Sequence, residues 1–297
     1  MPERLDDLTA SFRLALRAEG KSEATVRVYT EGVRSLGDWL AAQDRPLTSE
    51  SLSRHTITAW LADLAGTHSS GTCLTRYKGV QRFVRWCVLE EVLAADPTAG
   101  MRAPAVPERP VPVVTDAELT ALLKATTGST FAERRDHAVL RVLLDTGCRI
   151  SECVGLTLAD LDLEQNVAHV IGKGRRPRAL VFGSKTARSL DRYLRARRSH
   201  PYAYLPALWL GQRGRLGKDG LDDILRVRAR QAGVEGFHAH RLRHTAAHSW
   251  LAAGGQEQDL MRLMGWRSPT MLARYGASKA DERARDSAKR LGLGDRV

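Results

Sequence analysis

Five prolines in one short stretch constrain the fold of this chain more than any other feature. Pro97, Pro104, Pro107, Pro110 and Pro112 lie in a segment with almost no periodic apolar residues. Because proline fixes φ and lacks a backbone N–H, such a segment favours a semi-rigid extended linker. A chain of 297 residues is long enough for two domains with separate cores. We therefore predict a first domain over residues 1–96, a linker over 97–112 and a second domain over 113–297.

The two domains differ in their predicted secondary structure. In the first, apolar residues recur three and four positions apart, which predicts four helices. The second begins with a capping-box sequence, Thr115 to Glu118, and is also mostly helical. Within it, residues 166–171 and 178–182 have the composition of strands, and the turn between them is basic. The predicted class is mainly α with a small β-hairpin or sheet, a helical domain followed by a mixed α/β domain.

The positive charge of the chain is concentrated in its second part. The formal net charge is +12 and the pI is near 10.0. Up to Pro110 there are 14 Lys and Arg residues against 14 Asp and Glu, and the remainder has 32 against 20. A content of 43% hydrophobic and 27% charged residues is typical of a folded protein and not of a disordered basic tail. We therefore expect a nucleic acid as partner.

Three cations share one side of the fourth predicted helix. Residues of an α-helix advance by about 100° each, so Lys78, Arg82 and Arg85 fall together, away from the apolar stripe between Cys73 and Cys87. No acidic residue lies between Gly71 and Leu89. We expect this side of the helix to lie along a phosphate backbone.

The cysteines and the apolar segments indicate a cytoplasmic protein without a membrane partner. Cys73, Cys87, Cys148 and Cys153 form no Cys-x-x-Cys pair and lie among apolar neighbours, so we expect buried thiols. The N-terminal segment lacks the layout of a signal peptide, and no stretch approaches eighteen apolar residues.

Four short motifs in the second domain carry the chemically useful side chains. They are Thr146-Gly-Cys-Arg149-Ile-Ser-Glu152, Lys173 of the hairpin turn, His240-Arg-Leu-Arg243-His244, and Leu263-Met-Gly-Trp266 with Tyr275 nine residues later. Their order and spacing resemble the catalytic set of the tyrosine recombinase (phage integrase) family, in particular the simple two-domain members of the Xer type and Cre. The resemblance covers about Val113 to Tyr275. It implies a helical core-binding domain at residues 1–96 and a catalytic domain with a C-terminal tail helix at 113–297.

The resemblance implies separate catalytic roles for the basic residues. Arg149 and Arg243 would stabilise the negative charge that develops on the reacting phosphate, because each guanidinium stays charged and presents a rigid donor fork. Lys173 would protonate the departing 5′ oxygen. Glu152, one helical turn beyond Arg149, would orient that arginine or a neighbouring histidine, and His244 would be a supporting residue.

Tyr275 is the nucleophile that the resemblance implies. A tyrosine phenol has a pKa of about 10, so it needs a proton acceptor, and His240 can accept the proton. Trp266 stands where the family more often has histidine, and an indole donates a hydrogen bond but cannot take a proton. Further cations near these motifs are expected to contact DNA: Arg175, Arg176 and Arg241.

The implied function is site-specific recombination of double-stranded DNA in integration, excision or resolution. Strands would be cleaved and rejoined through a 3′-phosphotyrosyl intermediate and a Holliday junction. Four copies would assemble in the synaptic complex, and the free protein would be a monomer. The phosphotyrosyl bond conserves the energy of the broken phosphodiester, so neither a cofactor nor a metal is expected. A helix in residues 277–297 is expected to dock on a neighbouring copy, and the source is expected to be a bacterium, a phage or another mobile element.

Three alternatives remain open at this point. A type IB topoisomerase uses a similar set of residues and relaxes supercoils without a partner site. A DNA-binding regulator could keep the fold without the activity. His240, His244 and His248 repeat every four residues with His238 close by, which is also compatible with a metal site, although His-Glu-x-x-His is absent.

Overall fold

The computed structural model describes residues 2–107, 112–172, 176–266, 268, 272, 285, 288–290 and 292, apart from the side chain of Arg176. Lys173, Arg175 and Tyr275 lie outside the described residues, as does most of the predicted tail helix. The chain forms two compact units, Met1–Arg109 and Pro110–Val297, and the division falls within the proline-rich segment. Each unit is described by itself.

The first unit contains the four predicted helices. They are α1 (Leu5–Ala18), α2 (Glu23–Ala42), α3 (Arg54–Thr67) and α4 (Ser70–Leu89). The serine before each of α2, α3 and α4 accepts a hydrogen bond from the backbone N–H of the third helical residue, a donor that the helix cannot pair itself. Helices α2 and α4 approach closely at Gly79, where a Cβ atom would lie 2.7 Å from the Tyr29 carbonyl oxygen.

The first residues of the predicted linker pack on the first unit. The Asp96 carboxylate accepts hydrogen bonds from the backbone N–H and the hydroxyl of Thr98, and Arg54 donates to the Ala99 carbonyl oxygen. Met101 packs against the core of the unit. Residues 97–101 therefore form a turn that belongs to this unit, because side-chain hydrogen bonds and apolar burial offset the extended preference of Pro97.

The second unit combines helices with two small antiparallel sheets. Its helices are α5 (Asp116–Lys124), α6 (Phe131–Thr146), α7 (Ile150–Gly155), α8 (Ser184–Arg197), α9 (Lys218–Gln231), α10 (Ala239–Ala252) and α11 (Glu257–Met264). Its strands are β1 (Leu161–Asp162), β2 (Val167–Gly172), β3 (Arg176–Val181), β4 (Leu210–Gly211) and β5 (Gly214–Arg215), paired as β1-β2-β3 and β4-β5. The predicted fold class is confirmed.

The β2–β3 hairpin buries one face. Val167 pairs with Val181 and Ala168 with Leu180, which sets the register along the hairpin to Gly172 opposite Arg176. Ala168, Val170 and Leu180 are buried in the core of the unit, since alternate residues of a strand share a face. The hairpin thus packs by one face against the core of the unit.

A capping box starts the second unit where the sequence predicts it. Thr115 and Glu118 exchange hydrogen bonds between side chain and backbone at the first turn of α5. Elsewhere the described cysteines Cys73, Cys87, Cys148 and Cys153 are free and buried, as predicted. Among the described helices, none combines the length and apolar character that spanning a bilayer requires.

Candidate active site

The Thr146–Arg149 turn joins two helices and positions the first predicted catalytic arginine. Helix α6 ends at Thr146, and Gly147 adopts φ +55°, a left-handed conformation that favours glycine. A Cβ atom on Gly147 would also collide with the Met264 side chain. The chain turns there, and Arg149 becomes the residue that precedes the first turn of α7.

Glu152 holds Arg149 by both its backbone and its side chain. The Glu152 Oε2 atom accepts the backbone N–H of Arg149 at 2.7 Å, and Oε1 accepts from Arg149 Nη1 at 3.0 Å. The side chain of Glu152 is 6% exposed, whereas that of Arg149 is 36% exposed. The predicted orienting contact between these residues is therefore present, and the guanidinium keeps a solvent-facing part that a phosphate can reach.

Arg243 connects three of the motifs. Its side chain lies on α10 and is 2% exposed. Nη1 donates to the Gly147 carbonyl oxygen at 2.6 Å, and Nη2 donates to the Met264 carbonyl oxygen at 2.7 Å. The guanidinium carbon lies 5.5 Å from the centre of the Trp266 ring, within the range of a cation–π contact. Segments that are distant in sequence therefore meet at one guanidinium.

His240 and His244 lie one turn apart on α10. Their ring centres are 4.5 Å apart and the rings meet edge to face at 86°. His240 is exposed and His244 is buried, so the residue predicted to accept the phenol proton is accessible and the supporting histidine packs beneath it. In the part of the chain that the structure describes, no three His, Cys, Asp or Glu side chains lie close enough to hold a metal.

The hairpin places the segment with Lys173 and Arg175 between β2 and β3. Strand β2 ends at Gly172 and β3 begins at Arg176. The motif thus lies in sequence between two paired antiparallel strands.

A residue that sequence reasoning missed lies on β3. Arg178 donates from Nη2 to Glu152 Oε2 at 2.8 Å and from Nε to the Leu263 carbonyl oxygen at 3.1 Å. The sequence does contain a signal for this residue. Arg178 and Leu180 are two positions apart on a strand and so share its core-facing side. An arginine on such a face requires an acidic or carbonyl partner.

Arg241, which the sequence analysis expects to contact DNA, has a buried side chain with partners inside the unit. Arg241 is 7% exposed and donates to the carbonyl oxygens of Glu235 and Val113, at 2.9 and 3.0 Å. Arg241 Nη2 also lies 3.5 Å from Glu118 Oε1. The pKa of Glu118 is lowered mainly by the hydrogen bond from the backbone N–H of Thr115, and the charge of Arg241 lowers it further. Arg241 is therefore a structural cation that ties α10 to the start of the unit.

The three cations of α4 have different surroundings. Lys78 is exposed. Arg82 pairs with Glu19 at 2.5 Å and Arg85 pairs with Asp96 at 3.2 Å, while both keep part of their side chains exposed. The acids come from other segments, so the absence of acids within α4 does not make these two arginines unpaired.

Comparison with known proteins identifies the family to which this chain belongs. Residues 112–282 match the model of the phage integrase family. Tyrosine recombinase XerD of Bifidobacterium longum is 30% identical over 283 residues, which covers 90% of this chain and 91% of the relative. Tyrosine recombinase XerC of Mycobacterium tuberculosis is 34% identical over 266 residues, 86% of this chain and 88% of the relative.

Solved structures share the fold. The XerH site-specific recombinase, bound to its palindromic difH substrate, matches with a TM-score of 0.74 at 15% identity and covers 91% of this chain and 81% of that one. A lambda integrase dimer bound to a core site matches with a TM-score of 0.72 at 15% identity, covering 92% and 77%. The family match, the curated relatives and the assembled motifs lead to one conclusion: this chain belongs to the phage integrase family and is a tyrosine recombinase.

Proposed function

We propose that this chain carries out site-specific DNA recombination in which Tyr275 forms a transient 3′-phosphotyrosyl bond with DNA. The position of Arg243 carries the proposal. Its hydrogen bonds to the carbonyl oxygens of Gly147 and Met264 join the turn that precedes Arg149 to the segment that continues to Trp266. Tyr275 follows Trp266 by nine residues. Two catalytic motifs that are distant in sequence therefore meet at Arg243, next to the segment that ends at Trp266.

The two arginines stabilise the transition state. Attack on a phosphodiester concentrates negative charge on the non-bridging oxygens, and preorganised cationic donors lower the energy of that charge. Arg149 offers a partly exposed guanidinium that Glu152 orients. Arg243 offers a buried guanidinium that two carbonyl oxygens hold in place. Since neither must reorganise during the reaction, both contribute at the moment of attack.

The remaining groups move protons. His240 accepts the phenol proton of Tyr275, because Trp266 has no lone pair for that purpose. Lys173 gives a proton to the departing 5′ oxygen. The bond between phosphorus and the tyrosine oxygen forms as the bond to the 5′ oxygen breaks, and a 5′ hydroxyl reverses the step on rejoining. The reaction needs no nucleotide cofactor and no metal, because the phosphotyrosyl bond keeps the energy of the phosphodiester.

The partner is double-stranded DNA, and the acting form is a tetramer that passes through a Holliday junction. A solved lambda integrase tetramer, which has the same fold, is bound to a Holliday junction. The free protein is a monomer, and the protein works in the cytoplasm. Lys78, Arg82, Arg85, Arg175 and Arg176 contact phosphates.

Covalent trapping tests the proposal. A duplex is first selected from a pool of randomised sites by its binding to the protein. A nick is then placed a few nucleotides 3′ of the cleavage position, so that cleavage releases a short fragment with a 5′ hydroxyl, which diffuses away and cannot be rejoined. The wild-type protein should then run on a denaturing gel as a protein–DNA adduct. Tyr275→Phe should give no adduct, because phenylalanine lacks the hydroxyl nucleophile, while Tyr204→Phe, a control at a residue that is 76% exposed, should react as the wild type does.

The outcome also separates recombination from simple relaxation. A plasmid with two copies of the selected site should yield rearranged products, whereas a topoisomerase would change only the supercoiling. An adduct with Tyr275→Phe would overturn the nucleophile assignment. A wild-type protein that binds the site and forms no adduct would identify a non-catalytic DNA-binding protein.

A further inference from the structure

Arg178 is a largely buried cation that the mechanism above does not use. It lies on β3 opposite Val170, and its side chain is 11% exposed. Burying a guanidinium costs free energy unless hydrogen bonds and an opposite charge compensate for lost hydration. A solvent-exposed arginine at this strand would avoid that cost. The contacts of Arg178 therefore need an explanation beyond the folding of the hairpin.

Those contacts bridge three elements. Arg178 Nη2 donates to Glu152 Oε2 at 2.8 Å, and Nη1 reaches Glu152 Oε1 at 3.4 Å. Nε donates to the Leu263 carbonyl oxygen at 3.1 Å, at the end of α11. A Cβ atom on Gly265 would lie 3.4 Å from Arg178 Nε, so the guanidinium lies against the chain just before Trp266.

Glu152 is shared between two guanidinium groups. Its Oε1 and Oε2 atoms accept from Arg149 on one side and from Arg178 on the other. The carboxylate is 6% exposed, so bulk water does little to fix its orientation. Removal of Arg178 leaves one side of a buried carboxylate without its cation. Of these four hydrogen bonds the carboxylate then keeps only the two from Arg149, so the support that it gives to that arginine is less rigid.

We propose that Arg178 is a positioning residue for strand cleavage that acts through Glu152 on Arg149 and through Leu263 on the segment leading to Trp266. The proposal rests on the proposed function, because it assumes that Arg149 faces the reacting phosphate. Arg178 also lies on β3, five residues after Lys173 in the sequence. It thus fixes the hairpin, the arginine turn and the end of α11 relative to one another.

Arg178→Lys separates charge from geometry. Lysine keeps the positive charge, but its single ammonium cannot reproduce the planar fork that reaches Glu152 and Leu263 together. Single-turnover cleavage of the nicked duplex should slow by roughly tenfold or more, the scale for a misplaced catalytic group. The dissociation constant for the duplex should stay within about threefold. Arg195→Lys, an exposed arginine paired with Asp191 on α8, is the matched control and should change neither value.

A methylphosphonate at the cleaved position distinguishes a positioning role from a purely structural one. The quantity compared is the slowing of cleavage caused by Arg178→Lys on this substrate and on the ordinary phosphate, which a purely structural role would leave equal. Replacing one non-bridging oxygen by methyl removes a negative charge, so less charge develops for Arg149 to stabilise. The slowing caused by Arg178→Lys should shrink on this substrate, in parallel with that of Arg149→Lys. Equal slowing on the phosphate and methylphosphonate substrates would overturn the positioning role.

Two observations keep the proposals distinguishable. If the wild-type protein cleaves and Arg178→Lys cleaves at the same rate, the positioning role is overturned and the proposed function stands. If the wild-type protein does not cleave, the proposed function fails, and the positioning role fails with it. Should Arg178→Lys lose its cooperative unfolding transition, Arg178→Gln, which keeps an amide donor, is measured instead with the same expectation.

Discussion

In the proposed mechanism Arg149 and Lys173 act on different oxygens of the reacting phosphate. Arg149 stabilises charge on a non-bridging oxygen, and Lys173 protonates the departing 5′ oxygen. Arg149→Ala should slow cleavage by roughly 10²-fold, the cost of losing one donor to developing charge. Lys173→Ala should also slow cleavage of an ordinary duplex. A substrate with sulfur in place of the 5′ leaving oxygen should restore only the Lys173→Ala rate, because a thiolate leaves without a proton. Single-turnover rates on both substrates measure this, and recovery of Arg149→Ala alone would reverse the two roles.

The predictability of single residues depends on how far their partners lie along the chain. Glu152 can be assigned to Arg149 from sequence because one helical turn separates them. Arg178 cannot be assigned in this way, since its partners Glu152 and Leu263 lie 26 and 85 positions away. The sequence suggests a DNA contact for Arg241 because it lies between two functional residues, yet its side chain is buried on another side of α10. Local spacing identifies helix neighbours and gives no information on tertiary ones.

At the scale of elements, a buried carboxylate fastens two helices of the second unit. The Asp136 side chain on α6 is 2% exposed and accepts from Arg135 at 2.7 Å and from Arg228 on α9 at 2.7 Å. Asp136→Ala should lower the free energy of unfolding by about 3–5 kcal/mol, because it leaves the buried guanidinium of Arg135 and the partly buried one of Arg228 without their carboxylate. Denaturant unfolding of the second unit measures the change.

The matched control for this prediction is Asp191→Ala. Asp191 pairs with Arg195 on α8, and both side chains are more than half exposed. Water replaces that ion pair, so the loss of stability should stay within about 1 kcal/mol. Similar losses for Asp136→Ala and Asp191→Ala would contradict the role given to the buried cluster.

The elements that can be predicted have strong local signals. The sequence predicts strands at residues 166–171 and 178–182, and the structure has β2 at Val167–Gly172 and β3 at Arg176–Val181. The pairing lengthens β3 toward its turn, because Arg176 and Pro177 find partners across the hairpin. Helix α7 cannot be separated from its surroundings by periodicity, since it has only 6 residues. Its start depends on the left-handed Gly147 and the Arg149–Glu152 contact.

At the scale of the whole molecule, charge is divided unequally between the two parts. The 14 basic and 14 acidic residues up to Pro110 cancel, so the +12 belongs to the remainder. We therefore expect any binding of DNA by the first unit to come from a local group of cations. A plot of the logarithm of DNA affinity against the logarithm of salt concentration has a slope to which each neutralised phosphate contributes about 0.9. Replacing Lys78, Arg82 and Arg85 by alanine should therefore reduce the size of that slope by up to about 2.7.

The surroundings of these cations sharpen the expectation. Lys78 is exposed, whereas Arg82 and Arg85 must leave Glu19 and Asp96 to bind phosphates. Lys78→Ala alone should therefore flatten the slope by close to the value for one phosphate, and each arginine variant by less. Replacing three exposed cations of α8, Lys185, Arg188 and Arg195, removes the same charge and should leave the slope nearly unchanged. An equal effect of both triple variants would show that net charge, and not the face of α4, sets the slope.

The chemical identity of the protein–DNA bond tests the central claim most directly. The covalent adduct is digested with nuclease and trypsin, and its nucleotide-bearing peptide is sequenced by mass spectrometry. Trypsin cuts after Arg274 and after Lys279, so the expected peptide is Tyr-Gly-Ala-Ser-Lys, residues 275–279. The account predicts that the nucleotide is attached to the Tyr275 oxygen through its 3′ phosphate. A nucleotide on Ser278, on any other peptide, or attached through a 5′ phosphate would contradict it.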